Sequence, residues 1–407
     1  MAGGDFSKYR WVILGVCWLV YVIVFLQRLS IGPLAPFLKD DLGLTSAQVG
    51  SLMSASALGY MLTLVPAGWL VDRIGVRRML LLGSVTGGIL ISGMFFITTF
   101  AQGLTIMGLA GIGCGCLMPA TTKAVLAWFP VKERATAMGL KQTAVNIGGI
   151  IAAITLPTLA LALSWRYGFV SISVLAICIG IVSFILYREA PQKAEANIDE
   201  RITQSRARPS VRDILKGREI WLVAFSGTCM LAVEFSILAH LVLYLQTELL
   251  FAVVIAGFFL AMLEAGGGLG KPVSGLVSDR LWHGGRRMPY ILMCCVTGAI
   301  CLILSFLQQG SPMWAIVPLL LLLGFAGIGW GGLHLTLAGE IAGKELAGTV
   351  TGTVVLISMI GTVIGPPIFG HIVDITGSYQ ISWQMLVFAS AVAATLIFFV
   401  REGKRRI

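Results

Sequence analysis

The chain has 407 residues, of which 57% are hydrophobic and 12% charged, against roughly 25% charged in an ordinary soluble domain. Apolar runs of about 20 residues, enough to cross a bilayer, recur along its whole length, which excludes a soluble enzyme and a nucleic-acid-binding domain. The net charge of +10 does not mark a polyanionic partner, because the basic residues gather in alternate loops, as the positive-inside rule requires of a polytopic membrane protein.

The chain therefore reads as all-α: a polytopic membrane protein of twelve transmembrane helices in two pseudo-symmetric six-helix halves. Only helices and closed barrels satisfy their backbone in lipid, and these runs are far longer than barrel strands. In order, the spans fall at roughly 11–38, 46–71, 79–99, 104–128, 136–163, 166–188, 219–247, 252–278, 288–308, 313–338, 346–372 and 380–400. The first follows Lys8 and Arg10 but is too long for a signal peptide and lacks a small-residue cleavage pattern, so it is read as a retained span. The one long polar stretch sets the domain limits: an N-terminal half at 1–188, a cytoplasmic linker at 189–218 and a C-terminal half at 219–407. The linker reads as a solvated tether, with Val211–Leu215 as the candidate start of an interfacial helix. Counting loops alternately leaves only Lys39 and Arg166 on the far side, which makes both termini cytoplasmic.

Between the second and third spans, Gly68-Trp69-Leu70-Val71-Asp72-Arg73-Ile74-Gly75-Val76-Arg77-Arg78 forms a short basic loop. A variant returns between the eighth and ninth spans as Gly275-Leu276-Val277-Ser278-Asp279-Arg280, followed by Gly285-Arg286-Arg287. Charge of that density is kept out of hydrocarbon and marks a turn at the membrane surface. Its recurrence points to two similar halves. The 49 glycines concentrate inside spans, in runs such as Gly108–Gly115 and Gly324–Gly332, where they let helix backbones approach and slide. All eight cysteines lie in apolar runs without a paired Cys-x-x-Cys, so no zinc site and no cofactor are expected.

A charge inside a span is expensive unless paired or hydrated, and six stand out: Arg28, Lys123, Lys141, Glu234, Glu264 and Lys271. Arg28 lies roughly 5 Å beyond the middle of the first span, beside Tyr21, Phe25 and Gln27, with Pro33 and Pro36 ending the helix beyond it. Its guanidinium offers a planar fork for a carboxylate, nitrate or phosphate. The alternative is a structural ion pair, but no span of the N-terminal half contains an acid to form one. Lys123 and Lys141 lie nearer the cytoplasmic end, and Lys123 is read as snorkelling. Gln142 and Asn146, four apart, share a helix face that suits either a small polar solute or interhelical hydrogen bonds. Glu234 and Glu264 fall near the middle of the seventh and eighth spans, where a carboxyl is placed to carry a proton across. Lys271, two turns from Glu264, and His240, six residues after Glu234, accompany them; a Glu–Lys271 ion pair with no proton task is the competing reading. Trp330 and His334, four apart on the tenth span, line the same cavity or pack its wall.

The pattern G-x-x-x-D-R-x-G-x-R-R of the first loop and its partial second copy are joined by Trp128-Phe129-Pro130-Val131-Lys132-Glu133-Arg134-Ala135-Thr136-Ala137-Met138-Gly139 and by Gly365-Pro366-Pro367-Ile368-Phe369-Gly370 leading to Asp374. Together they resemble the signatures of the major facilitator superfamily of secondary transporters, over the whole chain. The second loop departs from the pattern by Leu281-Trp282-His283 inserted before its glycines. The resemblance implies two halves alternating around one central cavity, a functional monomer, and a bacterial cytoplasmic membrane. It also implies that Asp72, Arg73 and Arg134 form a charge cluster that latches the halves, with Asp279 and Arg280 as its weaker counterpart.

Within the superfamily, Phe25-Leu26-Gln27-Arg28-Leu29-Ser30-Ile31 and Met118-Pro119-Ala120-Thr121-Thr122-Lys123 are similar to the first and fourth helices of anion:cation symporters and neighbouring monocarboxylate and nitrate carriers. Gln27 and Cys114 stand where that branch often has acids, which moves any coupling acid to Glu234 or Glu264. Val145-Asn146-Ile147-Gly148-Gly149 faintly resembles a nitrate-carrier signature, and Pro157 lacks the preceding glycine of drug/proton antiporters.

The expected function is proton-coupled symport of a small organic anion, a monocarboxylate or sugar acid. Arg28, Tyr21, Gln27, Gln142, Asn146, Lys271, Trp330 and His334 are the candidate binding residues, and Glu234, Glu264 and His240 the candidate proton carriers. The expected partners are the anionic solute, protons and the bilayer, with no nucleic acid. An anion exchanger or nitrate/nitrite-type carrier would use the same arginine without a titrating acid. An exporter of apolar or cationic compounds would need the acids and not Arg28. No intramembrane Ser-His, Asp-Asp pair or His-rich cluster points to an enzyme.

Overall fold

A computed structural model describes residues 4–130, 133–190, 217–282 and 284–401. Among them there is no strand, and twelve helices are long and apolar enough to cross a membrane. They are α1 (Lys8–Leu42), α2 (Ser46–Ile74), α3 (Val76–Phe96), α4 (Phe100–Trp128), α5 (Thr136–Ala162), α6 (Trp165–Leu186), α7 (Arg218–Thr247), α8 (Val253–Leu281), α9 (Arg287–Leu304), α10 (Met313–Ala342), α11 (Thr349–Thr376) and α12 (Tyr379–Phe398). The expected all-α architecture of twelve spans is observed, each close to its expected place. Large apolar side chains such as Leu62, Val65, Phe96, Ile185 and Phe388 stand exposed on helix exteriors, as they do where the surrounding solvent is lipid. Most of the expected linker, residues 191–216 with the candidate helix at Val211–Leu215, lies outside the described residues.

The described chain divides into two compact units. The first holds α1 as far as Ser30, α2 from Ala55 onward, and α3 to α6; the second holds residues 31–54 and α7 to α12. Their internal packing repeats. In the first unit α1 lies on α5 and α3 on α6; in the second α7 lies on α11 and α9 on α12. The second and fourth helices of each unit cross backbone to backbone. On α4, a methyl added to Gly111 would overlap the Ser56 carbonyl of α2, and on α10 a methyl on Gly324 would overlap the Leu263 carbonyl of α8. Without a hydrophobic force between helices in lipid, such close approach is what holds them together. These glycines thus serve packing within each unit.

Four spans are broken rather than continuous. α1 stops at Arg28 and restarts at Ile31, α4 is interrupted at Cys116, α10 between Gly327 and Gly331, and α11 at Met359. Two of the breaks follow from proline, which cannot donate to the carbonyl four residues before it. Pro33 would have served Leu29, and Pro119 would have served Gly115. The helix therefore fails ahead of Pro33 rather than at Pro33 and Pro36, both of which lie inside the restarted Ile31–Leu42 segment. Discontinuous spans at membrane depth are where transporters place polar groups, and Arg28 is the last residue before the first of these breaks.

Candidate functional site

In the first unit the break in α1 delivers Arg28 into a buried aromatic setting. Its side chain is 5% exposed, and its guanidinium carbon sits 4.2 Å from the ring centre of Tyr60 on α2 and 5.3 Å from that of Phe25. Aromatic faces attract such a cation, more strongly when water is excluded. Tyr60 lies beside Tyr21. The ring of Tyr21 lies 4.4 Å from the ammonium of Lys141 on α5, which donates to Thr122 Oγ1 at 3.1 Å and Thr121 Oγ1 at 3.4 Å. Arg28, Tyr60, Tyr21 and Lys141 thus form one continuous chain of cations and rings.

The other expected residues of this unit take different places. Gln27 is buried and donates through Nε2 to the Ala110 carbonyl of α4 at 3.3 Å, tying two helices together. Asn146 is buried on α5, and Gln142, half-buried, keeps its Oε1 without a hydrogen-bond partner among the described residues. Tyr60 and Lys141 were not assigned to the site by sequence. Lys141 was visible as a buried charge, but nothing in a linear pattern puts α5 beside Tyr21, and Tyr60 carries no motif.

The second unit holds a separate polar cluster. Trp330, at the break in α10, donates its indole N–H to Glu234 Oε2 at 3.2 Å. Lys271 of α8 lies in the field of both Glu234 and Glu264, and Glu264 is buried. The Trp330 ring stacks on Tyr290 with centroids 5.7 Å apart and planes 12° apart. His334 lies 3.4 Å from the Tyr290 hydroxyl through Nδ1 and 3.3 Å from the Ser358 hydroxyl through Nε2. Both its nitrogens therefore face hydroxyls of α9 and α11. His240 faces elsewhere: Nε2 is 3.1 Å from the Ser46 carbonyl and Nδ1 3.2 Å from that of Ser236, with the ring against Phe369. The structure brings Glu234, Glu264, Lys271 and Trp330 together and places His240 at the start of α2.

At the basic loops, Asp72 accepts from Lys123 of α4 at 2.8 Å, Arg73 packs 3.6 Å over the Trp69 ring, and Arg134 donates to the Phe129 carbonyl at 3.1 Å. Glu133, next to Arg134, pairs with Arg10 at 2.9 Å. In the second unit Asp279 pairs with Arg286 at 2.6 Å, and Arg286 also reaches Glu340 at 3.4 Å, while Arg280 is exposed. In each unit the loop aspartate takes a nearby cation other than its neighbouring arginine.

Twelve spans, a duplicated packing scheme and a duplicated Asp-Arg loop agree with a family comparison, in which the model of the Major Facilitator Superfamily matches residues 17–366. The chain belongs to the Major Facilitator Superfamily. Among members of this superfamily it is similar to the probable sulfoacetate transporter SauU of Cupriavidus necator, at 26% identity over 97% of this chain and 94% of the relative. It is 29% identical to the probable L-galactonate transporter of Escherichia coli, over 94% of this chain and 87% of that one. The hexuronate transporter of Bacillus subtilis is 26% identical, over 97% and 96%. A crystal structure of a bacterial homolog of the human lysosomal transporter Spinster, inward-facing and occupied, superposes with a TM-score of 0.78 at 18% identity, covering 96% of this chain and 97% of the other. At that identity it speaks for the fold alone.

Proposed function

We propose that this superfamily member is an alternating-access transporter of a small organic anion of the sugar-acid or simple carboxylate type, moved by proton-coupled symport. The observation that carries the reading is Arg28, buried among Tyr60 and Phe25 at a helix break. Its fork is suited to a carboxylate. The relatives support it, since each is named for the anion of an organic acid. Gln142, with its open Oε1, suits a solute hydroxyl, and Asn146 lies one turn further along the same helix face.

Glu234 and Glu264 are the proposed proton carriers, with Lys271 as the cation that holds them charged between loadings and Trp330 orienting Glu234. Both termini are placed in the cytoplasm by the positive-inside rule, in a bacterial cytoplasmic membrane, with Asp72, Arg73, Arg134, Asp279 and Arg280 serving the gate and one chain sufficient for transport.

The test is uptake of labelled gluconate, glucuronate and butyrate by proteoliposomes, with and without an imposed pH gradient. Accumulation of at least one acid, enhanced by an inward proton gradient and lost in Arg28→Lys, is expected. Normal uptake by Arg28→Lys would make that residue structural. An exchanger is the second reading, favoured if Glu234→Gln and Glu264→Gln together leave uptake at full rate.

A further inference from the structure

We infer that Lys141 is a second anion-binding residue, and that the solute is a short dicarboxylate whose two carboxylates are divided between Arg28 and Lys141. The inference rests on the organic-anion reading above and narrows it to one class of acid. Lys141 is 1% exposed, deeper than Arg28. Its neighbours are the hydroxyls of Thr121 and Thr122 and the face of Tyr21, and among the described residues no carboxylate lies within ion-pair distance of its ammonium. Hydroxyls and a ring hold the head group in place but bring no negative charge. A buried cation in a membrane protein without a counter-charge is the costliest arrangement of a polar group, and an anionic ligand relieves it.

The two cations flank one pair of tyrosines, which sets the shape of that ligand. Arg28 sits 4.2 Å over the Tyr60 ring and Lys141 4.4 Å over the Tyr21 ring, and the two tyrosines lie beside each other. Along α1, Tyr21 and Arg28 are two turns apart, roughly 10 Å. A monocarboxylate at Arg28 leaves Lys141 as it was. A dicarboxylate with its charges a few bonds apart reaches toward both.

The experiment compares matched pairs in proteoliposomes of the full chain: succinate against butyrate, and glucarate against gluconate. Each dicarboxylate is expected to show a KM at least about tenfold below that of its monocarboxylate partner. Lys141→Gln is expected to raise the dicarboxylate KM by about tenfold and abolish the preference, while Lys141→Arg keeps it. Preference of the unaltered protein for the monocarboxylate in both pairs overturns the inference and leaves the organic-anion reading standing. Full dicarboxylate preference in Lys141→Gln does the same. If none of the four acids is transported or raises the unfolding temperature in detergent, both readings fall. Should Lys141→Gln not fold, the comparison in the unaltered protein and in Lys141→Arg still decides.

Discussion

The carboxylate of Asp374 on α11 accepts the backbone N–H of Ser46 through one oxygen and that of Ala47 through the other, each at 2.8 Å. The first N–H groups of a helix have no partner inside it, and α2 begins at Ser46. A residue far away in sequence therefore caps α2, and its negative charge suits the positive end of the helix. His240 holds the Ser46 carbonyl from the other side, so the start of α2 is fixed at both its donor and its acceptor groups. Asp374→Ala is expected to destabilise the protein by about 1–2 kcal/mol, with Asp374→Asn in between. Thermal unfolding in detergent, followed by thiol exposure of the buried cysteines, reads the change. An unchanged midpoint in both variants would remove the cap from the account.

Glycine substitutions separate close packing from mere presence in a span. Gly324→Ala sets a methyl against the Leu263 backbone, whereas Gly15→Ala meets nothing within 4 Å. Backbone cannot yield as a side-chain tip does, so Gly324→Ala is expected to lose about 1–3 kcal/mol. Gly15→Ala is expected to be neutral or to gain a few tenths, as alanine favours a helix over glycine by roughly 1 kcal/mol at most. Equal midpoints for the two variants would mean that the α8–α10 crossing is not backbone-tight.

Trp330→Phe preserves an aromatic surface for Tyr290 and deletes the N–H that Glu234 accepts. A hydrogen bond to a charged group is worth about 1.5–3 kcal/mol. If Glu234 carries the proton as proposed, uptake driven by a proton gradient is expected to fall about tenfold, while counterflow at equal pH on both sides changes less, because only the coupled process would need Glu234 oriented. Equal losses in the two assays would assign Trp330 to solute binding or packing instead.

The Asp72–Lys123 pair is largely exposed, and an exposed pair contributes about 0–1 kcal/mol. Asp72→Asn is accordingly expected to leave the unfolding midpoint within about 1 kcal/mol of the original. The gating role proposed for it would show in turnover, which should slow severalfold with KM little altered. A drop in stability with normal turnover would make the loop aspartate a structural residue.

The spans, their number and the charges inside them were legible in the sequence, since each follows from counting apolar residues against the thickness of a bilayer, and the duplicated loop was legible from its recurring Asp-Arg pattern. Arg28 was legible for the same reason: a guanidinium in an apolar run is conspicuous wherever the helix turns it. What lines could not reveal was company. Tyr60 reaches Arg28 because α2 crosses α4 on glycine, Lys141 meets Tyr21 because α5 lies along α1, and His240 turns to Ser46 rather than toward Glu234. Gln27, adjacent to Arg28 in sequence, is spent on a carbonyl of α4.

Hydropathy is a property summed residue by residue along one helix, so the sequence by itself determined that the chain crosses the membrane twelve times and where charge is stranded within it. Which stranded charges share a setting depends on the rotation of each helix about its axis and on its crossing partner. Those are decided by glycine contacts and proline-induced breaks between residues far apart in the chain, and only the tertiary structure brings them together.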